Sequence, residues 1–192
     1  VDAGQLDNGL NTWSGALTWM PTTGEYGKAG GFGDFESHPE WATRFGFHYT
    51  YSDEDRQSQP NTDGFENVQI RLSDGSIIFT PDLFGAGITI ANAVYQMASV
   101  DAGFKHRGWS VEGEFYRRQV NDFRGPGTDG LPFDKIDDHG FQLQASAMLR
   151  PETVQVYVSG SKVFGDYGKP YDARVGVNWF PWKNEVFRLN AE

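Results

Sequence analysis

Hydrophobic and polar positions alternate along most of the chain. Residues 41–52, WATRFGFHYTYS, set Trp41, Phe45, Phe47, Tyr49 and Tyr51 against Ala42, Arg44, Gly46, His48, Thr50 and Ser52, with Thr43 the weak member of the first set. A period of two places the sets on opposite faces of a strand. The same alternation runs through residues 12–20, 92–106, 109–120, 140–150, 153–164, 171–180 and 186–192. Residues 67–73 and 76–80 read as two further strands joined across Asp74-Gly75, a two-residue hairpin signal. The pattern predicts about ten strands, several of them as long as the roughly 9–11 residues that a tilted membrane strand needs.

Two architectures share this pattern. A soluble β-sandwich buries the aromatic face and wets the polar one. A transmembrane barrel inverts the arrangement, with the aromatic face on lipid and the polar face on a watery lumen. Connection lengths favour the barrel. Those at 106–108, 150–153 and 181–185 are short, and those at 121–139 and 165–171 between them are longer. Short turns at one end and long loops at the other are the outer-membrane pattern. The first connection, PTTGEYGKAGGFGDFESHPE, breaks the rule, because its length falls on the short side. The faces also favour a barrel. The polar set is mostly Gln, Ser, Gly, Asn, Tyr and Arg with few Lys, while Trp13, Trp19, Trp41, Tyr51, Trp109 and Trp179 stand near strand ends on the apolar set. Aromatic girdles mark bilayer interfaces.

Composition adds bounds. The 192 residues suffice for one domain, and no apolar run approaches a membrane helix. Aromatics reach 15% and cysteine is absent, which suits an exported bacterial chain without disulfides. No signal peptide opens the sequence. The formal charge of −10 argues against nucleic acid as a partner. The acids, including Asp53, Asp63, Glu66, Asp122, Asp137, Asp138, Asp166 and Asp172, are expected between or at the edges of strands. Such loops are solvated, or bind divalent cations that bridge to lipopolysaccharide.

The segments GFQLQASAML, VQVYVSGSKVFG and YDARVGVNWFPWKNEVFRLNAE resemble the C-terminal part of the phosphate-selective porin O and P family. Gly176, Asn178 and Trp179 match its GxNW strand, and Arg188 its basic strand. SVEGEFY and the stretch EDRQSQPNTDGFENVQIRLSDGSIIFTPDLFG are similar to its strand and loop types, so the resemblance covers roughly residues 40–192. It implies a general diffusion or anion-preferring porin, usually trimeric. The dense Lys/Arg loop of that family is not matched.

Alternation alone assigns the candidate pore-lining residues. They are Arg44, His48, Arg71, Lys105, Arg118, Arg150, Arg174 and Arg188, opposed by Asp101, Glu112 and Glu114. Basic groups outnumber acidic ones on this face, which predicts a mild anion preference. Pairing of Glu112 and Glu114 with Arg118 and Lys105 across strands would cancel it. GPGTDG at 125–130 has the letters of a dinucleotide loop without the strand and helix that motif requires, and His38-Pro39-Glu40 is no metal motif. No nucleophile elbow is present. No enzyme activity, cofactor or metal is expected. Residues 77–90 read as either a constriction loop or a strand bent at Pro81.

The expectation is therefore all-β: an antiparallel transmembrane β-barrel of the outer membrane of a Gram-negative envelope. Residues 1–192 form one barrel domain, incomplete at one or both ends and part of a larger porin. The protein passes small hydrophilic solutes or ions. Its partners are outer-membrane lipid, lipopolysaccharide and further copies in a trimer. The rivals are a secreted β-sandwich binding carbohydrate and a non-conducting structural barrel.

Overall fold

A computed structural model describes residues 11–27, 33–55 and 70–192. The chain is all-β: one antiparallel sheet of eight strands in simple sequential order. The strands are β1 (Thr12–Trp19), β2 (Ala42–Asp55), β3 (Asn92–His106), β4 (Trp109–Arg124), β5 (Lys135–Arg150), β6 (Val154–Gly165), β7 (Tyr171–Trp179) and β8 (Leu189–Ala191). The sheet is open, with β1 and β8 at its edges. A 3-10 turn at Thr128–Gly130 is the one helical element among the described residues.

Register fixes what each face carries. Phe47 stands opposite Val100, Val100 opposite Phe115, and Phe115 opposite Phe141, so one apolar row crosses four strands. The next rows add Phe45, Leu143, Phe104, Val111, Val158 and Val175. This outer face is exposed: Trp13 is 70% accessible, Leu143 53% and Val175 74%. On the opposite, inner face, Arg44, Glu112, Gln144, Ser159 and Arg174 form one row. A smaller set of buried apolar side chains, Tyr26, Ala42, Ala147 and Phe180, lies at one end of the sheet, and the main cluster lies at the other.

At that end the connections β2–β3, β4–β5 and β6–β7 meet. Residues 70–91 fold onto the inner face, where Leu72, Ile78, Phe79 and Ile90 bury against Ala93, Val120 and Ile136. Phe84, Phe133 and Tyr167 bring the three connections together as an aromatic cluster, with Phe84 and Phe133 centroids 5.2 Å apart. Gly125 and Gly127 have positive φ and press against the 87–91 backbone; a Cβ on Gly125 would meet Thr89 O at 2.2 Å. The glycines of GPGTDG thus serve a close approach of two loops.

The expected strands at 67–73 and 76–80 are not formed. Residues 67–69 lie outside the described residues, and the rest of that hairpin is a single bridge between Arg71 and Ile77 closed by a tight turn, Leu72 N–H to Ser76 O. Ile70, Leu72, Ile77 and Ile78 pack on the sheet instead of extending it. Residues 77–90 are accordingly a folded loop, and the described residues form eight strands where about ten were expected along the chain.

At the other end, β3 and β4 join through Arg107-Gly108 and β5 and β6 through residues 151–153. The long first connection, out of place in the length rule, also turns inward here. Tyr26 lies against Lys105 and Arg44 of the inner face, at 4.3 and 4.9 Å from its ring. Its described residues around Tyr26, Asp34 and His38 cover this end of the inner face.

Candidate functional site

The site is the inner face between the apolar cap at one end and the inward connection at the other. Two adjoining grooves occupy it, both bordered by Gln142 and Gln144. The first, of about 360 Å³, is lined by Arg44, His48, Ser99, Asp101, Glu112 and Glu114. The second, of about 440 Å³, includes Gln155, Tyr157, Arg174, Asn178, Arg188 and Asn190.

Glycines on the inner face make room for the side chains of neighbouring strands. A Cβ at Gly46 would stand 1.8 Å from Asp101 Oδ2, and one at Gly176 2.5 Å from Tyr157 Oη. Asp101 and Tyr157 therefore lie across their neighbouring strands.

The charges are paired. Arg44 Nη2 is 3.2 Å from Asp101 and 3.7 Å from Glu112, and His48 Nε2 is 3.0 Å from Asp101. Arg118 pairs with Asp138, and Arg174 lies 2.8 Å from Asp172 and 3.5 Å from Glu192. Among the expected lining residues, Arg44, His48, Lys105, Glu112, Glu114, Arg118 and Arg174 stand on the inner face with Asp101. Arg188 borders the second groove just before β8. Lys105 is 3% accessible, beneath the first connection, where its Nζ donates to Tyr26 O at 2.9 Å. Arg150 is exposed at the end of β5, and Arg71 lies in the 70–91 connection, where Nη1 donates to Gly75 O at 2.8 Å. Arg71 is therefore not on a strand wall, because the turn at Asp74-Gly75 pulls its segment off the sheet.

Two expectations about charge change. Asp137 and Asp138 leave the expected 121–139 connection, because β5 begins at Lys135, and the Asp138 carboxylate faces inward as does that of Asp172. Asp53, Asp122 and Asp172 lie at strand edges as expected, and Asp63 and Glu66 lie outside the described residues. The inner face then holds no clear basic excess. Charges do pair across strands, but with other partners than expected: Arg118 takes Asp138 rather than Glu112 or Glu114, and Glu112 shares Arg44 with Asp101.

A neutral ladder completes the face. Ser110 and Ser146 hydroxyls are 2.9 Å apart, Gln155 Nε2 donates to Ser146 Oγ at 3.0 Å, Asn178 donates to Gln155 Oε1 at 2.9 Å, and Asn190 donates to Asn178 Oδ1 at 2.9 Å. The chain of amides joins five strands, β4 to β8. In the GVNW stretch, Gly176 admits the Tyr157 ring, Asn178 joins the ladder and Trp179 faces out.

The first connection is held from both sides. Asp34, fully buried, accepts Gly108 N–H at 2.7 Å and His38 N–H at 3.1 Å, and its carboxylate binds His38 Nδ1. Arg107 N–H donates to His38 O at 2.8 Å. The Tyr26 hydroxyl enters the notch left by Gly103, where a Cβ would meet it at 2.2 Å. Burial, with the Glu112 carboxylate beside it, pushes this phenol well above its ordinary range. The sequence carried no signal for this inward fold beyond the misplaced length of the connection.

Comparison of the chain with protein-family models, curated proteins and solved structures returned no match.

Proposed function

We propose that this sheet is a wall segment of an outer-membrane β-barrel of porin type, through which small hydrophilic solutes and ions diffuse. The observation that carries the reading is the inversion of the two faces. Aromatic side chains bear roughly 150–250 Å² each. Even at about half exposure the outer band presents on the order of 1,000 Å² or more, beyond the roughly 300–600 Å² of the largest patch on a typical soluble monomer. The band also has a suitable height. Trp41 to Tyr51 is ten residue steps. At about 3.4 Å per step that is ~34 Å along the strand, and ~26 Å along the normal at a tilt of ~40°, close to the ~25 Å apolar band of such barrels.

A sandwich would cover the aromatic face with a second sheet. All described strands belong to one sheet, and the described connections at both ends pack on the polar face instead. In a bilayer the unpaired edges of β1 and β8 require partners, so the reading includes closure of the wall by further strands. Outer-membrane lipid and lipopolysaccharide would contact the band. A trimer, as in the porins the chain resembles, is the assembly we propose.

The paired charges support slight selectivity rather than a strong anion preference, since Arg44 is shared by two carboxylates. The two packed ends favour a second reading, a structural barrel that conducts little. Single-channel current in a planar bilayer under a KCl gradient separates them. Discrete steps with a small reversal potential are expected. Stable insertion without steps would favour the structural barrel. A protein that stays soluble without detergent and does not insert would overturn both.

A further inference from the structure

We propose that Glu25, Glu36 and His38 form a binding site for a divalent transition-metal ion, best matched to Zn²⁺, that fastens the first connection to the sheet. One oxygen from each glutamate and a nitrogen of His38 lie within 4.8 Å of one another. Independent support comes from the imidazole itself. His38 is 6% accessible, and its Nδ1 is engaged by the buried Asp34 carboxylate. Asp34 takes up Nδ1, which leaves Nε2 as the ring nitrogen that faces the two glutamates. That buried Nε2 has no hydrogen-bond partner. Glu25 Oε1 stands 2.9 Å from it without hydrogen-bond alignment. A buried ring nitrogen without a hydrogen bond, set beside two carboxylate oxygens, is an arrangement that a shared cation would satisfy.

The arrangement is that of a metal-ligating histidine oriented by a carboxylate on its other nitrogen. One imidazole and two carboxylates suit zinc, with water completing the shell, whereas calcium sites are built from oxygen alone. Lys105 is the competing cation nearby, but its Nζ already donates to Tyr26 O and lies over that ring. The exposed positions of Glu25 and Glu36 leave the site open to solvent on one side. The ion would link segments on both sides of residues 28–32, and Asp34 and His38 carry that link to the Arg107-Gly108 turn. Nothing in the site depends on conduction or on a membrane.

The test is calorimetric titration of the chelator-treated full chain with zinc chloride, in the detergent that keeps it folded. One equivalent is expected to bind. Glu25→Gln, which alters an exposed side chain, should weaken binding tenfold or more, and His38→Gln should abolish it. Glu40→Gln, beside the site but outside it, should bind as the parent does. Cobalt substitution should give visible d–d bands that disappear in His38→Gln and need more cobalt to appear in Glu25→Gln. Failure to bind zinc, or equal binding by Glu25→Gln and the parent, overturns the proposal and leaves a protonated His38 paired with Glu25 in its place. A zinc-binding protein that does not conduct would retain this site and lose only the porin reading.

Discussion

Leu143 sits in the middle of the outer band, between Gly113 of β4 and Gly160 of β6 in register. It is four steps from His139 and six from Leu149 along β5. With a rise of about 3.4 Å and a tilt of about 40°, it lies roughly 10 Å from one rim of the band and roughly 16 Å from the other. An arginine there has opposite consequences in the two solvents. On a water-exposed surface Leu143→Arg would change stability by within about 0.5 kcal/mol. Near a bilayer midplane it should cost about 2–4 kcal/mol, whereas Leu149→Arg at the rim should cost about 0–1 kcal/mol. The larger cost is roughly a 30- to 1,000-fold drop in the folded-to-unfolded ratio. The assay is urea unfolding in lipid vesicles followed by tryptophan fluorescence, with both variants beside the parent. A midplane variant no less stable than the rim variant would refute the assignment of this face to lipid.

Four other outcomes follow from the inner face. Gly103→Ala puts a Cβ 2.2 Å from the Tyr26 hydroxyl; overpacking of this kind costs about 1–3 kcal/mol, and faster hydrogen exchange at the Arg107 and Gly108 amides should report release of the first connection. Gln155→Ala leaves Ser146 and Asn178 without a shared partner, a loss of about 1–3 kcal/mol in urea midpoint measurements. Ile78→Ala opens the apolar cap, where that side chain is fully buried, and should cost about 2–5 kcal/mol by the same measurement. Tyr26 has a folded-state pKa above its unfolded value, so its contribution is complete below the unfolded pKa of about 10 and declines as pH rises past it; a Tyr26→Phe variant should show a shallower alkaline decline than the parent in a urea titration series.

The strands were legible in the sequence because alternation reports which residues share a face. It does not report what lies against that face. Ile70 and Leu72 alternate as in a strand, and Ile77 and Ile78 follow across a hairpin signal, yet all four anchor a loop. Arg71 was placed on the wall for the same reason. Strand ends were hidden where polar residues continue the ladder: Lys135–His139 of β5 lack alternating apolar residues and still pair with β4. That extension brings Asp138 to Arg118, a partner no spacing rule could select, because cross-strand neighbours depend on register. The first connection was the least legible. Along the chain His38 belongs to His38-Pro39-Glu40, which is no metal motif, whereas its neighbours in space are Asp34, Glu25 and Glu36. The length anomaly was the one available signal that these residues had somewhere else to go.

The glycine notches have a consequence for how this chain tolerates variation. At Gly46, Gly103 and Gly176 a single methyl group would collide with a side chain held by its own partners, while at Gly15, on the other face, the same methyl would meet nothing within 4 Å. In ordinary globular proteins the apolar set is constrained in shape and the polar set is free. Here the polar set is the fitted one. A saturation survey of this protein should find its outward hydrophobic positions interchangeable among Leu, Val, Ile and Phe, and its inward small positions fixed, an inside-out map of mutational sensitivity.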